Sequence, residues 1–150
     1  MKNKTIRIIV ILAIIVVILD QVSKIVIGNL FQETWGNDYF KIEITTNTGM
    51  AFGFNDGNIK NIFLTIVVLA MIISFIKRQV EQIDTKTAVS LGMILGGGFG
   101  NLIDRFFRNG VFDFIKILKF PNFNVADIFV VTGWILLVAF LAIFTKKCND

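Results

Sequence analysis

Four apolar stretches punctuate the chain, separated by two long mixed segments and one short charged turn. Ile8 to Leu19 is an unbroken apolar run behind Lys2, Lys4 and Arg7. A signal peptide starts the same way, but no small-x-small site follows, and Asp20-Gln21-Val22-Ser23-Lys24 leads without a breaker into Ile25-Val26-Ile27. Crossing a bilayer takes about 20 residues, so the pattern predicts a spanning helix over 6–27 with the polar pentad in its last two turns. Spans are likewise predicted over 60–77, 88–104 and 125–145. In the third, Gly92, Gly96 and Gly100 recur every four residues, which makes a groove for close helix packing. Between spans one and two, Phe40 to Thr45 alternates and is rich in β-formers, predicting a short strand. Asn47 to Phe54 mixes glycine turns with apolar residues and reads as an ordered, membrane-hugging segment. The expected architecture is an all-α integral membrane protein of one domain, 1–150. Four transmembrane helices carry a small β-rich extracytoplasmic cradle in the first outer loop.

Composition agrees: 55% of residues are hydrophobic and 17% charged, too apolar for an ordinary soluble domain of 150 residues. The net charge of +4 is mostly flanking Lys and Arg, which suits anionic lipid better than nucleic acid. There is no histidine, and the one cysteine is Cys148. That excludes a His-based triad, a His/Cys zinc site and an internal disulfide. The Gly96-Gly97-Gly98-Phe99-Gly100 cluster lacks the Lys-Ser/Thr of a phosphate loop.

Four spans place both termini and the turn at 77–87 on one side. Lys and Arg number eight there and seven on the other, so the count alone barely decides orientation. The Lys2-Lys4-Arg7 cluster and the Lys77-Arg78 and Lys146-Lys147 pairs favour cytoplasmic termini. Acids divide more sharply: three lie on the terminal side and eight on the outer side. Asp20, Asp104, Asp113 and Asp127, with Asn47, Asn101 and Asn124, therefore predict an outward-facing polar site ringed by helix ends.

Carboxylates are the available acid–base groups. Two of them can hydrolyse an amide when one is ionised and the other protonated, and contact between like charges creates that split. Asn124 reads as an N-cap with Asp127 at N3, near the positive end of a helix dipole, which favours the ionised form. The pair could instead be only a capping box. Asp113, within Val111-Phe112-Asp113-Phe114-Ile115, has the apolar setting that retains a proton, unless it is merely the polar residue of a surface strand. Asp104 is followed by Arg105 and has Arg108 at i+4, so a structural ion pair is its simpler role. Asp20 and Lys24 share a helical face and could pair at the membrane edge, with Lys24 snorkelling outward. A proton- or cation-coupled transporter using these acids is the competing class. A Ser23–Lys24 hydrolase is disfavoured, because adjacent helical side chains point about 100° apart.

Five motifs in order complete the reading: Asp20-Gln21-Val22-Ser23-Lys24, Asn47-Thr48-Gly49-Met50-Ala51-Phe52, Gly97-Gly98-Phe99-Gly100-Asn101-Leu102-Ile103-Asp104-Arg105, Val111-Phe112-Asp113-Phe114 and Phe123-Asn124-Val125-Ala126-Asp127. Together they resemble bacterial lipoprotein signal peptidase, signal peptidase II. The resemblance implies an aspartyl endopeptidase of the bacterial cytoplasmic membrane with its active site at the extracytoplasmic face. It would cut prolipoproteins just before a diacylglyceryl-modified cysteine; with oxygen ligands but no histidine in the chain, no metal or cofactor is expected. Asp113 and Asp127 fall on the family's catalytic aspartates. Asp20, Lys24, Asn47, Gly49, Asn101, Asp104, Arg105, Asn124 and Ala126 fall on positions that support the site or touch substrate. Implied partners are the lipidated precursor, membrane phospholipid and globomycin-type inhibitors. Phe54-Asn55-Asp56-Gly57 departs from the leucine-rich continuation expected after the Asn-x-Gly motif.

Overall fold

A computed structural model describes residues 2–49 and 58–149. The segment 47–54, expected to hug the membrane, is thus described only to Gly49, and the departure at 54–57 lies outside the described residues. The elements are α1 (Lys2–Leu30), β1 (Trp35–Gly36), β2 (Phe40–Asn47), α2 (Asn58–Gln79), α3 (Thr85–Phe107), β3 (Val111–Ile117) and α4 (Val125–Asn149). α1, α2 and α3 overrun their predicted spans at both ends, and α4 only at its C-terminal end, because polar end residues continue the helical hydrogen bonding beyond the apolar run.

α1 and α2 are long and apolar enough to cross a membrane. Only 22% and 17% of their most apolar windows are buried inside the protein. A core helix of a soluble protein would be mostly buried. Here Ile11, Ile14, Ile18, Val22 and Ile25 project outward along α1, which is costly in water and natural in lipid.

α3 is the hub, packed against α1, α2 and α4. Its glycines explain how. A Cβ on Gly96 would sit 2.6 Å from the Val16 Cβ and 2.8 Å from the Ala13 carbonyl oxygen, both on α1. A Cβ on Gly92 would meet Ile9 and Leu12 of α1, and one on Gly100 would meet the Asp20 carboxylate. The four-residue glycine spacing is therefore the α1 seam. Gly97, one position round, faces the Ala126 carbonyl and Val130 of α4. A buried cluster of Ile9, Leu69, Ile76, Ile83, Ala88, Leu91 and Leu95 closes the end of the bundle away from the sheet.

Caps fix where α3 begins and ends. The Asp84 side chain accepts the Thr87 N–H at 2.8 Å, and that bond holds the Asp84 carboxyl below its ordinary range. At the far end the Arg108 N–H reaches the Asp104 carbonyl at 2.7 Å. Asn109 then takes a left-handed φ of 57°, a common helix stop, and the chain turns into β3.

The sheet corrects one expectation. It is not confined to the first outer loop, since β3 comes from the loop joining α3 to α4. The order is β1-β2-β3, antiparallel throughout. A seven-residue strand that buries Val111, Asp113 and Phe114 needs a partner for its backbone, and β2 provides it. Thr45 pairs with Asp113 and Asn47 with Val111, with a register shift between Ile42 and Thr45. The sheet sits at the bundle end where α1 and α3 finish and where α2 and α4 begin.

Candidate active site

Strand geometry brings the first carboxylate to the helix ends. Asn47 pairs with Val111, two residues from Asp113, so the two polar side chains are diagonal neighbours on one sheet face. The Asn47 Nδ2 donates to Asp113 Oδ2 at 3.2 Å, and Asn47 Oδ1 accepts the Gly49 N–H at 3.0 Å. After β3 the chain reverses through Leu118, whose φ is 50°. It returns beside its own strand, with Phe123 and Ile115 exchanging backbone hydrogen bonds. Asn122 pins the return by donating to the Glu43 carbonyl at 2.9 Å and to Thr45 Oγ1 at 3.2 Å. The next residue in the path, Asn124, is thereby placed against Asp113.

Asn124 starts α4 with a reciprocal capping box. Its Oδ1 accepts the Asp127 N–H at 2.9 Å, and its own N–H donates to Asp127 Oδ2 at 3.2 Å. The cap is only part of its work. The fully buried Asn124 Nδ2 donates to Asp113 Oδ1 at 2.7 Å and to Asn101 Oδ1 at 3.0 Å. Asn101 in turn donates from Nδ2 to Asp127 Oδ1 at 2.7 Å. Two amides therefore link the two carboxylates, and their orientation is fixed by the acceptors at either end.

Asp113 is 2% exposed, whereas Asp127 is only partly buried. Burial first, and the charge of Asp127 second, push the Asp113 carboxyl up to about 7; the Asn47 and Asn124 amides and Lys24 oppose this. A buried acid with that setting stays protonated into the neutral range. The sign of its effect on stability follows. The unfolded chain releases this proton near the ordinary carboxylate range and the folded one near 7, so folding loses stability as pH rises between them. Asp113→Asn should remove that slope. Thermal unfolding in detergent should show the variant level with wild type at acid pH and several degrees above it at pH 8. A wild-type melting temperature flat from pH 4 to 8 would contradict the assignment of the proton.

A second polar group lies beneath the pair. Asp20, Lys24 and Asp104 are buried, and Lys24 Nζ contacts Asp20 at 2.8 Å and Asp104 at 2.6 Å. Lys24 therefore does not snorkel outward; an acid from α3 captures it inside the bundle. Asp104 pairs with Arg108 as expected of a structural ion pair, and not with Arg105. Sequence reasoning left Gln21 and Arg108 without a site role. Gln21 Nε2 donates to Asp20, Asp104 and the Gly100 carbonyl, and Arg108 donates to Gln21 Oε1 at 2.9 Å. The signal was present in the spacing, since Asp20, Gln21 and Lys24 lie on the last turns of one helix. Asn61 of α2 was also missed; it is buried and donates to the Thr48 carbonyl at 2.8 Å, tying down the strand end beyond Asn47.

Arg105 stands apart from the ion pairs. Its Nη1 reaches the Asn101 carbonyl at 3.4 Å, and its buried Nε has no protein acceptor among the described residues. It closes the polar end of a cavity of about 210 Å³ between α2, α3 and α4, lined by Leu64, Val68, Ile94, Val130 and Trp134.

Apolar helices with unburied faces, and two acids joined by donors at their shared end, define a membrane protein built like an aspartic peptidase. The comparisons with known proteins agree. The family model described as signal peptidase (SPase) II matches residues 12–143. A lipoprotein signal peptidase of Dehalococcoides mccartyi is 36% identical, over 89% of this chain and 88% of its own length. One of Borrelia turicatae is 36% identical over 84% of each chain. Among solved structures, a bacterial membrane enzyme determined by the in meso method at 2.3 Å resolution superposes with a TM-score of 0.79. That enzyme is 28% identical, over 95% of this chain and 90% of its own. This chain belongs to the signal peptidase II family. It is a membrane protease of the aspartic type, which removes the transporter reading.

Proposed function

We propose that Asp113 and Asp127 are the reacting carboxylates, and that the substrate is a prolipoprotein whose signal peptide is cut just before a diacylglyceryl-modified cysteine. The observation that carries this is the Asp113–Asn124–Asn101–Asp127 network, which ties a buried acid to a partly exposed one. Asp127, reachable by water, accepts a proton from it as it attacks the scissile carbonyl. Asp113 donates its proton to the carbonyl oxygen, and the pair then protonates the leaving amine. One proton is shared, so the roles describe a favoured microstate. Asn47 and Asn124 hold Asp113, Asn101 holds Asp127, and Gly49 gives its N–H to Asn47. Arg105 lines the cavity with an Nε donor that has no acceptor among the described residues, a fitting place to grip the substrate backbone while an acyl chain or the signal-peptide core lies between α2 and α4.

In this reading the whole chain is one membrane-embedded domain with four spans, because α3 and α4 run between the same two ends as α1 and α2. The sheet end is extracytoplasmic. Exposed Trp35, Tyr39, Phe40 and Phe120 cluster on the strands and their turns, where aromatic side chains favour a membrane–water interface. Lys2 and Lys77 mark the cytoplasmic end of an apolar cavity of about 830 Å³ between α1 and α2, which phospholipid would fill. Purified protein should be incubated with a diacylglyceryl-modified precursor and with the same precursor unmodified. Mass spectrometry should find the first cut before its modified cysteine and the second intact. Equal cutting of both would overturn the lipid-selective reading.

A further inference from the structure

We infer that Lys24 is a positioning residue that sets the separation of Asp113 and Asp127 by way of two backbone amides. This rests on the reading of that pair as the reacting carboxylates.

Each acid bound to Lys24 has a second duty. Asp20 Oδ1 accepts the Ala126 N–H at 3.0 Å, and Asp104 Oδ2 accepts the Phe112 N–H at 3.0 Å. Ala126 immediately precedes Asp127, and Phe112 immediately precedes Asp113. The same ammonium lies 2.8 Å from Asp20 and 2.6 Å from Asp104. One continuous path therefore runs from the backbone of β3 through Asp104, Lys24 and Asp20 to the backbone of α4. Lys24 is its centre, and among the described residues its ion pairs go to Asp20 and Asp104 and not to either reacting acid.

Little slack is available along the path. A Cβ on Gly100 would lie 2.6 Å from Asp20 Oδ2, so the α1 carboxylate rests against the α3 backbone. Gln21 bridges the same two acids at 3.0 and 3.1 Å. Charge is balanced as well, with Lys24 and Arg108 facing Asp20 and Asp104. Without the ammonium the two acids would repel across a buried gap and draw the two amides apart. A displacement of about 1 Å at reacting groups costs on the order of 100-fold in rate.

The charged groups that act on Asp113 are Asp127 on α4, Lys24 on α1 and Arg105 on α3. Lys24 lowers the proton affinity of Asp113, so losing it must raise that affinity and move the alkaline limb of the pH–rate profile upward.

The test uses full-length protein in detergent, with rates expressed per folded molecule and with wild type and Asp113→Asn run in parallel. Lys24→Met should lower kcat by about 100-fold with KM changed by less than about threefold, and should shift the alkaline limb to higher pH. Asp20→Asn keeps an acceptor for the Ala126 N–H and Asp20→Ala does not. The Asn variant should therefore retain about tenfold more kcat than the Ala variant, since a lost hydrogen bond of about 1.4 kcal/mol corresponds to that ratio. Wild-type kcat and pH profile in folded Lys24→Met would overturn the inference. If Lys24→Met does not fold, equal kcat in the two Asp20 variants would overturn it instead. Undiminished cleavage by Asp113→Asn would remove the dyad reading itself, a separate failure.

Discussion

Asp113→Asn should insert and fold normally yet lose cleavage by about 10⁴-fold or more, and Asp127→Asn should do the same. Asn is close to Asp in shape, so the amide can still receive the Asn124 donor that now reaches Asp113 Oδ1. What it cannot do is hold and release a proton. At position 127 the amide would also keep contact with Asn101 while losing the negative charge that draws a proton from water. The double variant should be little worse than either single one, because each carboxylate is useless without the other. Rates measured on lipid-modified precursor would check this. Multiplying losses would mean that the two acids serve separate steps.

Asp104→Ala should have the largest effect on stability, a loss of about 3–5 kcal/mol, because it breaks a buried charge network from one side. Lys24 would keep only Asp20, Arg108 would lose its carboxylate, and the Phe112 N–H would lose its acceptor. Asp104→Asn should do less harm, since an oxygen remains for Phe112. Compare Asp38 and Lys41, 3.7 Å apart, with Asp38 almost fully exposed and Lys41 about one-third exposed. Such a pair adds little, and Asp38→Asn should leave the melting temperature unchanged. Thermal unfolding in detergent separates the two sites directly; similar melting temperatures for Asp104→Ala and wild type would contradict the buried network.

What was legible in the sequence was whatever is local. The four long helices follow from apolar runs, the α1 seam from glycines every four residues, and the cap from Asn124 and Asp127 three apart. The Asp20–Lys24 pair follows from one helical turn. What was illegible was whatever depends on distant segments meeting. Nothing near Lys24 announces Asp104, eighty residues on and in another helix, so a pair with Asp20 alone at the membrane edge stays an open reading of the sequence. The pairing of β3 with β2 was hidden for the same reason, and the register shift between Ile42 and Thr45 has no turn signal to betray it. Asp113 illustrates both sides. Its apolar neighbours forecast a retained proton, but its contact with Asn124 depends on the chain reversal at Leu118 and the Phe123–Ile115 bridge.

The most direct measurement sets Asp113 against Asp104. Both are buried acids near the same end of α3, and only one is placed in the reacting pair. Cleavage of lipid-modified precursor should be measured for Asp113→Asn and Asp104→Asn and divided by the amount of folded protein. The account predicts that folded Asp113→Asn is dead, while folded Asp104→Asn still cuts and differs mainly in how much of it folds. An active Asp113→Asn beside a folded, inactive Asp104→Asn would show that Asp127 works with the other acid.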